Sequence, residues 1–194
     1  MVIGLGNPGS RYQRTRHNAG FAVLALLAQR QGAHFRHSWL GARGETARVD
    51  LRGADATLLR PLTFMNLSGD AVRPMLKSPG RRDGYTPAEL ILVYDDMDVP
   101  LGRLRLRLDG RPGGHRGVAS VLAAVGSEGV ARIRVGIGRP PEGQDAAEYV
   151  LSEIPPREGS AWEASLARAA DAVEEACGRG FEVAMARFNR ADPA

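Results

Sequence analysis

The chain begins Met1-Val2-Ile3-Gly4-Leu5-Gly6-Asn7-Pro8-Gly9, a short apolar run that passes directly into a glycine turn. The run reads as a buried strand, and Gly4, Gly6 and Gly9 spell the dinucleotide-binding pattern G-x-G-x-x-G. Their context does not suit that ligand. The pattern needs a helix opening at the third glycine and an acid about 20 residues further on to hold the ribose. Here Ser10 to Arg16 has no helical apolar period, and no Asp or Glu precedes Glu45. Pro8 has no N–H to offer a phosphate, whereas Asn7 carries both donors and an acceptor. The turn is therefore read as one that presents Asn7, with Thr15-Arg16-His17-Asn18 following at a helix start.

The remaining pattern alternates strands with helices. A helix from about His17 to Gln31 carries the stripe Phe21, Leu24, Leu27 and Ala28, with Gly32 at its C′ position. Residues 44–52 and 55–60 read as strands, followed by a helix to about Lys77 that Asn66 or Ser68 can cap. The continuous run Leu90 to Val93 suits a central strand, with Asp95, Asp96 and Asp98 at its carboxyl end. Next, Arg103, Arg105 and Arg107 alternate with Leu104, Leu106 and Leu108, the period of a two-faced strand. A Gly-rich loop over 110–117 leads into a helix over 118–125, and residues 132–138 form another strand with its arginines on one face. A long Ala-rich helix over about 160–177 is expected to break at Gly178 and Gly180, before a last turn through Phe188. The expected fold is α/β: a single domain with a mixed, mostly parallel twisted sheet and helices on both faces.

Composition narrows the function classes. A chain of 194 residues, 43% hydrophobic and 25% charged, fits one globular domain. The lone Cys177 excludes a disulfide framework and a thiolate metal site, and points to a reducing cytosol. No apolar run approaches the 18 or so residues that cross a bilayer, so no membrane is expected as partner. The net charge of +4 rests on 25 arginines against the single Lys77. Guanidinium forks match phosphate geometry and favour RNA, although GC-rich coding also replaces Lys by Arg.

In open α/β sheets ligands bind beyond the carboxyl ends of the strands. Asn7, Asn66, Asp95 and the loop bearing His115 all follow predicted strands, so four distant segments converge there. His17, with Arg14 and Arg16 nearby, suits a general base, and Asp95 can accept its N–H and set its tautomer. The same acids, with Asp96 and Asp98, also fit an acidic turn or a cation site. With no Ser or Cys in an obvious nucleophile elbow, the base would activate water. Asn7 and Asn66 are neutral amides able to hold a carbonyl or oxyanion, or they are turn formers. Arg105, Arg107 and Arg134 on neighbouring strands would form a cluster that local acids do not neutralise, fit for phosphate; otherwise they are a solvated strand face.

Taken together, Gly4 to Gly9, Tyr12, Thr15 to Gly20, Phe64 to Gly69, Asp95 to Pro100, Gly113-Gly114-His115 and Arg134 to Gly138 resemble the bacterial peptidyl-tRNA hydrolase family nearly end to end. The resemblance implies an esterase that cleaves a peptide from the 3′ end of tRNA, engaging the acceptor stem and CCA end. It implies a cytoplasmic monomer that needs no metal, cofactor or protein partner. By resemblance, His17 is the general base, Asp95 its orienting partner, and Asn7 and Asn66 hold substrate and transition state. Tyr12 and Met65 resemble pocket residues, His115 a peptide or CCA-end contact, and Arg107 and Arg134, joined by Arg105, the clamp on the tRNA 5′-phosphate. Residues 145–154, within a segment of about 140–158, resemble a mobile lid before a C-terminal helix over about 160–188. Arg116 departs from the Asn usual after the loop histidine, where it helps place water or substrate, and the loop Ser78 to Thr86 looks slightly long. A non-catalytic RNA-binding relative is opposed by the intact His17, Asp95, Asn7 and Asn66 set, and a dehydrogenase by the missing ribose acid.

Overall fold

The computed structural model describes residues 1–38, 43–77 and 84–190. Its single seven-stranded sheet is built from β1 (Val2–Gly4), β2 (Arg36–His37), β3 (Gly44–Leu51), β4 (Ala54–Pro61), β5 (Ile91–Asp96), β6 (Leu104–Arg107) and β7 (Ala131–Gly136). The spatial order is β2-β3-β4-β1-β5-β7-β6. The four central strands, β4, β1, β5 and β7, are mutually parallel, and the flanking pairs β2/β3, β3/β4 and β6/β7 are antiparallel. All four central strands thus deliver their carboxyl ends to one edge of the sheet.

Among the described residues six α-helices accompany the sheet: α1 (Ala19–Arg30), α2 (Ser68–Leu76), α3 (Arg116–Val125), α4 (Ala146–Val150), α5 (Gly159–Arg179) and α6 (Phe181–Phe188). Strand side chains alternate between faces, and the two cores divide accordingly. Val2, Leu58, Val93 and Ile133 pack with α1, α5 and α6, whereas Ile3, Leu59, Leu92 and Tyr94 pack with α2 and α3. Helices therefore cover both faces, as the alternating pattern predicts.

Several local expectations need correction. The segment at His17 is a short 3-10 turn, Arg16–Asn18, and the α-helix begins only at Ala19. Neither Asn66 nor Ser68 caps α2; Ser68 lies inside it, and its hydroxyl donates to the Met65 carbonyl at 2.8 Å. Gly178 sits within α5, where its missing Cβ makes room for the Arg52 side chain, so Gly180 alone (φ +100°) divides α5 from α6. The helix before the last strand starts at Arg116 instead of Val118, because the His115 side chain caps it. The two-residue β2 was not anticipated; it is too short for an alternation to register. Most of the loop Ser78 to Thr86 lies outside the described residues.

The glycines of the opening turn serve packing. A Cβ on Gly4 would meet the Gly20 carbonyl oxygen at 2.5 Å, and one on Gly20 would meet the Leu5 nitrogen at 2.3 Å. Glycine on both sides lets the start of α1 touch the end of β1, as the third glycine of a dinucleotide fold does. What this contact brings to the sheet edge is the His17 turn.

Candidate active site

A cavity of about 500 Å³ opens at the carboxyl edge of the central strands, a size usual for small-molecule sites. Asn7 reaches it from the loop after β1, Met65 and Asn66 from the turn after β4, Asp95 from β5, and His115 and Arg116 from the start of α3. His17 completes the set. Of the expected substrate-site residues, only Tyr12 does not line the cavity; its hydroxyl is engaged by the neighbouring Arg11.

Asp95 is the organising group. Its carboxylate is 2% exposed, with the two oxygens 2.9 and 3.0 Å from His17 Nδ1, and one of them 3.3 Å from His115 Nε2. Burial alone would raise its pKa, but the two imidazoles outweigh this and hold the carboxyl well below its ordinary range. An ionised carboxylate only accepts, so His17 Nδ1 carries a proton, and in the neutral ring Nε2 is the nitrogen with the free lone pair. His115 is set likewise from its other side: Nδ1 accepts the Val118 N–H at 3.2 Å, which leaves Nε2–H to donate to Asp95. The His17 and His115 rings lie 5.0 Å apart between centroids. These three residues also bring one ligand-type atom each within 4.8 Å of one another, but both nitrogens that face Asp95 are occupied as donors to it.

Asn7 is equally constrained. Its Oδ1 accepts the Met65 N–H at 2.9 Å. A backbone N–H can face only an acceptor, so the amide orientation is determined and Nδ2 is the atom left for the cavity. The backbone of Asn7 is held on both sides by Asn18, whose Oδ1 accepts the Asn7 N–H at 2.8 Å and whose Nδ2 donates to the Asn7 carbonyl at 3.0 Å. Asn18 sits next to His17 in the same turn, so it ties the amide donor to the base. The resembling block contains this residue, but a link between two loops 11 positions apart has no periodicity to reveal it. We expect Asn18→Asp, which keeps the acceptor but loses the donor, to lower kcat about 10–100-fold, in line with the cost of displacing a reacting group by about an ångström. A steady-state assay checks this; an unchanged kcat would remove Asn18 from the positioning network.

Arg16 does not lend its charge to His17. It is 4% exposed, and its guanidinium donates to the Ser152 hydroxyl (2.7 Å), the Glu153 carbonyl (2.9 Å) and Glu158 (2.7 Å), while stacking on Tyr149. It thereby anchors the segment containing α4, whose Ala146, Ala147 and Val150 form one wall of the cavity. Phe64, 56% exposed, and Met97 also line it and were not singled out from sequence. Arg116 is an exposed lining residue with no ion-pair partner among the described residues.

The arginine faces prove more differentiated than their alternation suggests. Arg105 and Arg107 project outward from edge strand β6, and Arg105 pairs in register with Arg134 on β7. Together they line a second cavity of about 420 Å³. The expectation that local acids leave this cluster unneutralised fails at Arg134, whose Nε donates to Asp96 at 2.5 Å. Asp98 pairs with Arg139 at 2.7 Å, so Asp96 and Asp98 each have an arginine partner. Arg132 is buried; its guanidinium donates to the carbonyls of Gly110, Arg111 and Glu128, making it a scaffold group and no part of the basic face.

Comparison with known proteins accords with this geometry. The family model described as peptidyl-tRNA hydrolase matches residues 1–194. The chain is 48% identical over 187 residues to a peptidyl-tRNA hydrolase of Rubrobacter xylanophilus, spanning 96% of this chain and 98% of that protein. It is 45% identical over 192 residues to one of Chloroflexus aggregans, spanning 97% and 98%. The crystal structure of peptidyl-tRNA hydrolase from Acinetobacter baumannii superposes with a TM-score of 0.89 at 32% identity, covering 100% of this chain and 95% of that one. With the whole chain matched in sequence and in fold, this protein belongs to the peptidyl-tRNA hydrolase family.

Proposed function

We propose that this protein is an ester hydrolase that releases the peptide from the 3′ end of peptidyl-tRNA, with His17 as general base. The observation that carries the reading is the bare His17 Nε2 facing the same cavity as the Asn7 amide, its tautomer set by a buried carboxylate. His17 Nε2 takes a proton from water as the oxygen attacks the ester carbonyl carbon, and Asp95 stabilises the imidazolium that forms. The Asn7 Nδ2–H and the Asn66 amide donate to the developing oxyanion. The tetrahedral adduct collapses with cleavage of the bond to the ribose oxygen, which takes the proton back from His17. The products are a free tRNA hydroxyl and a peptide carboxylic acid, which releases its proton to solvent as the carboxylate.

On this reading Met65 and Phe64 face the peptide, His115 and Arg116 face the CCA end, and residues 145–154 act as a lid, hinged where Arg16 anchors them. Tyr12 would join only on substrate binding. The exposed arginines fit an acceptor stem beside the cavity, with the 5′-phosphate at Arg107 and Arg134. A monomer in the cytoplasm suffices for this chemistry. No observation favours the non-catalytic reading. The test is release of an N-acetylated amino acid from charged tRNA, with release of the free-amine form much slower; absence of release from the acetylated form would refute the proposal.

For Arg107→Ala and Arg134→Ala we expect KM on full-length substrate to rise about tenfold each, the scale of one lost charge-assisted contact to phosphate, with little change on a minimal ester that lacks the 5′-phosphate. Steady-state kinetics on both substrates decide this, and equal effects would remove the clamp.

A further inference from the structure

Strand β6 is the outer edge of the sheet, where unpaired backbone groups are an open template for another strand. At its midpoint the open position is filled by a side chain. Asn189, just past α6, accepts the Leu106 N–H on Oδ1 at 2.7 Å and donates from Nδ2 to the Leu106 carbonyl at 3.1 Å. The amide therefore acts as a one-residue outer strand, and the two partners allow it only one orientation. Leu106 is fully buried, so its neighbours Arg105 and Arg107 project to the opposite, outward face. Fixing the Leu106 backbone thus fixes the directions in which both arginines leave the strand. Asn189 is itself held, because the preceding Phe188 is buried in the same core as Leu104 and Leu106. Arg190 follows, exposed, and with Asn189 and Arg103 lines the cavity that contains Arg105, Arg107 and Arg134.

We infer that the end of α6 completes the phosphate site: Asn189 is a positioning residue for Arg105 and Arg107, and Arg190 supplies a further cation on the wall. The ligand class is a terminal phosphate monoester, whose two charges suit several guanidinium forks. The inference rests on the reading of this face as the tRNA phosphate site.

The experiment measures KM on N-acetyl-aminoacyl-tRNA with and without its 5′-phosphate. Asn189→Ala is expected to raise KM about 3–10-fold on the phosphorylated substrate, with the rise confined to it, as for one weakened charged contact. Arg190→Ala is expected to act in the same direction and to reduce the slope of log KM against log salt by a little under one. Should Asn189→Ala melt too low to assay, Asn189→Ser replaces it, shortening the bridge to Leu106 without adding charge to the cavity. Equal rises on both substrates, or a fall in kcat together with melting temperature, would reduce Asn189 to a structural strap and overturn the inference. If Arg107→Ala abolishes the preference for the 5′-phosphate while the Asn189 and Arg190 variants keep wild-type KM, only this inference fails. If Arg107→Ala leaves the preference intact, the phosphate reading of the whole face fails.

Discussion

Replacing His17 by Ala is expected to lower kcat by about 10²–10⁴-fold with folding retained, the usual contribution of a positioned general base. The expectation follows from geometry. His17 is held by Asp95 on one nitrogen, its other nitrogen has no partner among the described residues, and the ring lines the cavity beside Asn7. The side chain is 14% exposed, and its main structural bond is the one to Asp95. Its removal should therefore cost little stability beyond the now half-satisfied carboxylate, about 1–3 kcal/mol. Circular dichroism and single-turnover kinetics separate the two effects. Turnover within a few-fold of wild type would exclude His17 as the base.

Asp95→Asn should come close to this loss, about 10²–10⁴-fold, because two functions disappear together. An amide can face His17 with either its oxygen or its N–H, so the tautomer with a bare Nε2 is no longer enforced. The imidazolium formed during the reaction also loses its buried counter-charge. Since Asp95 acts through His17, the double variant should lose little more than His17→Ala alone, and additive losses would assign Asp95 a separate role. The same substitution should flatten the acid limb of stability. The folded pKa of Asp95 lies below the unsupported value of 3.8, so its carboxylate contributes stability that is fully present above about pH 4 and is lost as pH falls through the lower folded value. Acid titration of unfolding in the two proteins measures this.

Most of the architecture was readable because the strands announce themselves by period. The strict Arg/Leu alternation at 103–108 gives an edge strand with one wet face, and the unbroken run at 90–93 gives a strand covered on both sides. Asn7, Asn66 and Asp95 were legible because each lies at or just past the carboxyl end of a central parallel strand, whereas His115 reaches that edge although the strand before it, β6, is antiparallel and ends at the other one. What escaped was whatever depends on which side chain meets which across loops. Asn18 gripping the Asn7 backbone, Arg16 turning away to Glu158, Asp96 claiming Arg134, and Asn189 pairing with Leu106 are all contacts between distant segments. A charge count cannot foresee them: the arginines at 132 and 134 look alike in sequence, yet one is buried scaffold and the other sits at a cavity. Tyr12 shows the reverse limit, since its block resembles the family closely but the residue does not line the cavity.

Water activated by His17 attacks the ester directly on the proposed mechanism, with no acyl-enzyme between substrate and products. The most direct test is a single turnover of N-acetyl-aminoacyl-tRNA with enzyme in excess, quenched at intervals, with ester cleavage and the intact mass of the protein measured in the same samples. Complete cleavage is expected while the protein mass stays unchanged at every time point. An acyl adduct that rises and decays with the reaction, or an ester left intact, would contradict it.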